Sequence, residues 1–309
     1  LPAKTLDGLQ VIVAGNIELP SEVDTVLARG GEAIGLYRTE FMFVGRQELP
    51  SEEEHYRIYL RLISRLQNKE VTIRTRDLGA DKIFTAQMLE PEPNPALGVR
   101  GIRYCLEHPT LLEAQFAGIL RAAVRGNVRI LLPMISGVTE LRQAKEVLDR
   151  VAQRLHSEGK EHRTDVPLGI MIEVPSAVMM ADALARECNF FSIGTNDLLQ
   201  YMVAADRNNE RVDYLYHPLN PAILRTLKMV VDAAKASGVR VSVCGEMAGE
   251  PEHTAVLVGL GIQQLSMNAG SIPRVKRLIR ELHYESCQQL VEEALGCLTH
   301  EEVRTLVAD

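Results

Sequence analysis

Residues 190–208 read F-F-S-I-G-T-N-D-L-L-Q-Y-M-V-A-A-D-R-N. The opening run from Phe190 to Ile193 has the length and the aromatic and β-branched bias of a buried strand. Gly194 ends it, and Thr195, Asn196 and Asp197 stand where a helix begins. Asn and Asp at such a junction usually serve as caps for the first free N–H groups of the helix. About two and a half turns later comes a second polar cluster, Asp206-Arg207-Asn208. A carboxylate, an amide and a guanidinium gathered at one strand end suit a metal-bound anionic ligand better than a cap alone.

The same strand-then-helix unit recurs in both directions. Downstream, residues 221–237 read as a long helix, 239–243 as a strand ending in Cys244-Gly245-Glu246, and 261–267 as a short last strand. Residues 273–309 are helical and polar on one side. Upstream lie a helix over 176–187, a strand over 168–172 ending in Glu173, a helix over 139–157, a strand over 128–132 ending in Pro133-Met134, and a helix over 111–124. Residues 98–103, G-V-R-G-I-R, carry a weak signal for a further short strand, after a Pro-rich loop over 88–96. A strand over 71–73 delivers Arg74-Thr75-Arg76-Asp77, and one over 33–36 delivers Tyr37-Arg38-Thr39-Glu40. Ser51 opens a helix with an acidic first turn and apolar residues at helical spacing; Ser21 is expected to cap the helix over 21–29, which follows a strand over 11–14. Strand and helix alternate about eight times, with no polar linker, internal repeat or low-complexity segment. That pattern predicts parallel α/β architecture, and the length fits one closed (β/α)8 TIM barrel over residues 1–309 better than two open sheets.

Composition narrows the function. Hydrophobic residues make up 46% and charged residues 24%, as in globular proteins. A formal charge of −7 without a basic run argues against nucleic acid as a partner. No apolar stretch approaches the roughly 20 residues that span a bilayer, so no membrane partner is expected. Five cysteines without a C-x-x-C pair read as reduced thiols, and with no leader the expected compartment is the cytoplasm. Eight histidines form no H-x-x-x-H or H-E-x-x-H cluster, which argues against zinc. The chain opens on Leu1-Pro2 with a strand close behind, as expected of a fragment of a longer protein.

The strand ends then matter together. In order they carry Arg38, Arg74, Arg100, Glu173, Asn196 with Asp197, and Cys244. In a β/α barrel these positions converge on one mouth, where active sites form. Singly, such an Arg is usually a surface ion pair, such a Glu a solvated charge and such a Cys a small buried hydrophobe. Six strand ends carrying them in one chain is hard to ascribe to chance. Several arginines suit bidentate binding of phosphate or carboxylate. Two carboxylates on different strands, Glu173 and Asp197, are the usual protein share of a Mg²⁺ site. Cys244 could be a nucleophile or a proton donor, and spacing does not decide. The residues point to a Mg²⁺-dependent enzyme acting on a small phosphorylated acid.

Seven ordered motifs carry a resemblance: G-L-Y-R-T-E-F at 35–41, R-T-R-D-L-G-A-D-K at 74–82, M-I-E-V-P at 171–175, G-T-N-D-L-L-Q-Y at 194–201, A-D-R-N-N at 205–209, C-G-E-M-A-G at 244–249 and S-I-P-R-V-K at 271–276. Together they resemble the C-terminal domain of the enzyme I family, the phosphoenolpyruvate–protein phosphotransferases of the bacterial phosphotransferase system. Pyruvate phosphate dikinase and phosphoenolpyruvate synthase share the barrel and the N-D motif, and stay as the alternative. The resemblance implies a phosphoenolpyruvate/pyruvate-domain barrel in which Arg38, Arg74, Arg207 and Asn196 hold phosphoenolpyruvate and Arg100 contacts its phosphate. It further implies that Glu173 and Asp197 bind Mg²⁺, with Asp197 beside the substrate, and that Cys244 protonates the enolate at C3. G-A-D-K at 79–82 departs from the family's usual pair of glycines. The family's phosphohistidine sits on an N-terminal swivelling domain with a T-S-H motif that this chain lacks. The implied partners are therefore that domain, a small histidine-containing phosphocarrier protein and a second copy in a homodimer. A non-catalytic phosphoenolpyruvate sensor is a third reading, opposed by the presence of Glu173, Asp197 and Cys244.

Overall fold

The computed structural model describes residues 1–43, 45, 48–77 and 93–308. Eight parallel strands close into a barrel in strict sequence order. They are β1 (Ile12–Ile17), β2 (Ala33–Tyr37), β3 (Val71–Arg74), β4 (Val128–Leu132), β5 (Leu168–Ile172), β6 (Phe190–Ile193), β7 (Arg240–Val243) and β8 (Gln264–Met267). Closure comes from β1 pairing with β8, Ile12 opposite Gln264 and Gly15 opposite Met267. Most of these strands are buried along their whole length. Such burial on both faces explains why they read as continuous apolar runs rather than alternating ones. The large core lies between the barrel and its helices, while Leu36, Leu131, Met171, Phe190 and Cys244 form a small cluster inside the barrel.

Three expectations about the elements are corrected. Residues 98–103 form no strand; Gly101 adopts φ +58°, a left-handed turn, and the chain enters the helix Ile102–Glu107. The helix expected over 176–187 is two short helices, Pro175–Met179 and Ala181–Ala185, broken at Met180. Ser21 makes no side-chain cap; the Glu22 carboxylate instead accepts from the N–H groups of Glu18 and Leu19. Ser51 is as expected, forming a capping box with Glu54 at the start of Glu52–Ser64. The C-terminal region is three helices, Ile272–Ile279, Tyr284–Gly296 and His300–Ala308. Residues 79–82 and most of the Pro-rich loop lie outside the described residues. Among the described residues no helix is long and apolar enough to cross a membrane.

Candidate active site

The carboxyl ends of β2, β3, β5, β6 and β7 meet around a cavity of about 530 Å³ at one mouth of the barrel. Arg38, Arg74, Arg100, Glu173, Asn196, Asp197, Arg207 and Cys244 all line it. Every residue expected to hold substrate, metal or proton therefore faces one space, while Thr195, Asp206 and Asn208 do not line it. Arg100 arrives from the loop before Ile102–Glu107 rather than from a strand end, and Arg207 from the turn after Thr195–Val203.

The expected helix cap is absent. Gly194 occupies the cap position of Thr195–Val203 and no side chain there caps the helix. The triplet sits in the first turn, where Asn196 and Asp197 serve other contacts and the buried Thr195 hydroxyl has no hydrogen-bond partner. The Asn196 amide is locked to Glu246, donating to its Oε1 at 3.1 Å and accepting from its backbone N–H at 2.9 Å. Tyr216 donates to the Asn196 carbonyl at 2.9 Å, fixing the same turn from outside. Asp197 Oδ1 receives Arg100 Nη1 at 3.3 Å and lies 3.9 Å from Arg207 Nη1.

Arg74 is almost buried, and its guanidinium bridges Glu40 (2.9 Å) and Asp77 (3.0 Å). Burial is the largest single influence and opposes its charge, but the surrounding acidic groups, Glu40 and Asp77 foremost, together outweigh it and hold the group ionised. Asp77 also takes Arg100 at 3.0 Å, and its backbone N–H donates to Glu40 at 2.9 Å. The result is an alternating chain, Glu40–Arg74–Asp77–Arg100–Asp197, across the mouth. The sequence reading passed over Glu40, Asp77 and Glu246, although each stands inside a quoted motif.

Glu173 is fully buried at the end of β5. One oxygen accepts the Met134 N–H at 2.7 Å, and the other has no hydrogen-bond partner. Met134 reaches that carboxylate from a left-handed backbone conformation, φ +58°, that a non-glycine residue adopts only when its surroundings enforce it. Burial, and then the charges of Asp77 and Asp197, push the Glu173 carboxyl up to about 8 against the pull of Arg74. Four guanidinium groups thus face six carboxyl groups around the cavity. A polyanionic ligand would enter an already acidic space, which calls for a cation. Glu173's unpartnered oxygen and the Asp197 carboxylate are hard oxygen donors of the kind Mg²⁺ takes, the remaining positions falling to water and ligand oxygens. No cluster of three or more His, Cys, Asp or Glu suited to a metal occurs among the described residues, so protein ligands alone would not enclose an ion.

Cys244 is buried, and its thiol lies 3.6 Å from the Ile193 carbonyl. Burial pushes the thiol above its ordinary value, so at neutral pH it keeps its proton. Asn16, another residue the sequence reading missed, donates to the Cys244 carbonyl at 2.9 Å and to the Ser266 carbonyl at 3.2 Å, tying β1 to β8 and to the end of β7.

Residues 1–284 match the family model described as PEP-utilising enzyme, PEP-binding domain. The chain belongs to that family. It is 47% identical over 301 residues to the phosphoenolpyruvate-protein phosphotransferase of Listeria monocytogenes, covering 97% of this chain and 53% of the relative. The proteins of the same name from Staphylococcus carnosus and Bacillus subtilis are 46% and 44% identical, with 99% and 100% of this chain covered and 53% and 54% of theirs. The chain thus spans about half the length of the curated relatives it matches. Among solved structures, a citrate lyase from Burkholderia xenovorans superposes with a TM-score of 0.53 at 12% identity, covering 100% of this chain and 91% of that one. At that identity the likeness shows the fold alone, and it agrees with the closed eight-stranded barrel described above.

Proposed function

We propose that this chain is the phosphoenolpyruvate- and Mg²⁺-binding half of a phosphoenolpyruvate–protein phosphotransferase, releasing pyruvate as the phosphoryl group passes to a histidine on a separate domain. The observation that carries the reading is the convergence of four arginines, two separated carboxylates and a protonated, buried thiol on one cavity. The names of the relatives favour this reaction over the dikinase or synthase alternative. Transfer of a phosphoryl group asks mainly for positioning and charge neutralisation. Arg38, Arg74 and Arg207 would hold the phosphate and carboxylate, with Asn196 fixing the near side and Arg100 bearing on the phosphate. Glu173 and Asp197 would hold the metal, which when bound supplies Lewis-acid stabilisation of negative charge on the substrate oxygens. As the P–O bond breaks and an N–P bond forms on the acceptor histidine, the leaving enolate takes the Cys244 proton at C3 and becomes pyruvate.

Calorimetric titration of the 309-residue chain with phosphoenolpyruvate tests this. Binding is expected with Mg²⁺ and lost or much weakened without it and in Asp197→Ala. The phosphoryl group of labelled phosphoenolpyruvate should not remain covalently on this chain. Equal binding with and without Mg²⁺, or no binding at all, overturns the reading. Joining of the chain to a phosphohistidine domain, to a phosphocarrier protein and to a second copy follows from the same reading, as does a cytoplasmic location.

A further inference from the structure

Gln115 is a polar residue on an otherwise apolar face of the helix Pro109–Ala122, and it is only 1% exposed. Burying an amide there costs free energy unless its hydrogen bonds are met. They are met by groups that lead directly to the cavity. Its Oε1 accepts the Arg76 backbone N–H at 3.1 Å. Its Nε2 donates to Thr39 Oγ1 and to the Tyr59 hydroxyl, both at 3.1 Å. Thr39 Oγ1 in turn donates to the Arg74 carbonyl at 3.0 Å. One side chain thus joins Thr39, next to Arg38 and Glu40, to Arg74 and Arg76 on the neighbouring strand end.

The tail of β3 shows what this bracing does. Beyond Arg74 the chain has left the barrel, yet three successive N–H groups are held: Thr75 by the Leu131 carbonyl (2.9 Å), Arg76 by Gln115 (3.1 Å) and Asp77 by Glu40 (2.9 Å). The Arg76 guanidinium is caught between the Phe43 and Tyr104 rings at 4.9 and 4.7 Å, anchoring the same tail on the outer side. Asp77 is thereby set where it meets both Arg74 and Arg100.

We propose that Gln115 is a positioning residue for ligand binding, riveting the β2 and β3 ends so that Arg38, Arg74 and Asp77 keep a fixed mutual geometry. The proposal rests on the cavity being the phosphoenolpyruvate site. It acts along two routes: directly on the Arg76 N–H, and through Thr39, whose hydroxyl receives the amide's hydrogen bond and passes its own to Arg74. Removing either partner breaks the shared Gln115–Thr39 link, and each also frees one backbone group of the same β3 tail, so the two losses should combine to less than their product.

The test is phosphoenolpyruvate affinity in the presence of Mg²⁺ for the full chain and for Gln115→Met, Thr39→Val, Thr39→Ser and the Gln115→Met/Thr39→Val pair, each well below its melting temperature. Gln115→Met and Thr39→Val are each expected to weaken binding about tenfold, as losses of supporting hydrogen bonds around a binding site do. Thr39→Ser, which keeps the hydroxyl, should bind like the parent, and the double variant should be weakened by clearly less than the product of the two single losses. Wild-type affinity in Gln115→Met, or losses that multiply in the double variant, overturns the proposal. If Gln115→Met does not fold, the Thr39 pair decides, and equal affinity of Val and Ser at 39 is the overturning result. If the parent chain fails to bind, the reading of the cavity falls instead. Amide exchange at Arg76 then judges the bracing by itself: it should speed up at least about tenfold when the Gln115 or Thr39 link is cut, and unchanged exchange refutes it.

Discussion

Glu173 and Cys244 show how environment gives a common side chain an uncommon state. Both are buried just past the carboxyl ends of their strands, and burial pushes each toward its protonated form. For Cys244 that is the form an acid needs, and a buried thiol with a raised proton affinity is a poor nucleophile. Cys244→Ala is expected to leave phosphoenolpyruvate affinity within about twofold, because the methyl group fills most of the same small space. Turnover in the complete phosphotransferase should fall by a factor on the order of 100 or more, the usual worth of a positioned proton donor. Steady-state pyruvate release alongside calorimetry separates the two effects, and unchanged release would remove the acid role from this residue. An alkylating reagent should label Cys244 in the folded chain slowly, since only 2% of the residue is exposed.

Among elements, the junction between β6 and β7 is closely packed at Gly245. A Cβ on Gly245 would stand 1.9 Å from Thr195 Oγ1 and 2.9 Å from the Thr195 backbone nitrogen. The hydroxyl could rotate away, but the backbone nitrogen moves only if the two strand ends part. That parting would also break the Asn196–Glu246 pair. Gly245→Ala is therefore expected to cost about 1–3 kcal/mol of stability, the usual range for overpacking, together with most of the ligand affinity. Gly137→Ala is the matched control, because nothing lies within 4 Å of the added carbon. Equal melting temperatures for the two variants would show that the junction has slack. The strands themselves were legible in the sequence, since a strand buried on both faces must be an apolar run whatever its neighbours are. Arg100's strand was not there to find: Gly101 turns the backbone into the left-handed region, and only the completed fold shows why it does. The site arginines and carboxylates were legible because strand ends converge in any such barrel. Their pairing was not, because Glu40 meets Arg74, and Asp77 meets Arg100, across separate loops whose register one sequence does not display. Gln115 gave still less signal, as one polar residue in a helix reads as a surface position until the packing shows it inside.

For the molecule as a whole, the mouth concentrates charge in a way that links folding to pH. Four guanidinium groups and six carboxyl groups line one cavity, and Glu173 is the member whose charge the fold opposes most directly. Its folded value of about 8 lies above the ordinary 4.5. A raised carboxyl binds its proton more tightly in the folded than in the unfolded chain. Its contribution is therefore fully present below about pH 4.5 and is lost as pH rises toward 8, by at most about 1.4 kcal/mol per pH unit. Above that window both states are ionised and the slope ends. Glu173→Gln carries no titrating group, so the stability of the parent chain relative to this variant should decline from pH 5.5 to pH 8 in urea unfolding. A gap that stays constant across that range would mean that Glu173 ionises in the folded chain as it does in the unfolded one. The same series connects stability to the proposed metal. An ion held by the ionised carboxylate competes with the proton, so Mg²⁺ should stabilise the parent chain more at pH 8 than at pH 6 and should do markedly less for Glu173→Gln. Equal stabilisation of parent and variant would place the ion away from Glu173, and the acidic mouth would then need another explanation.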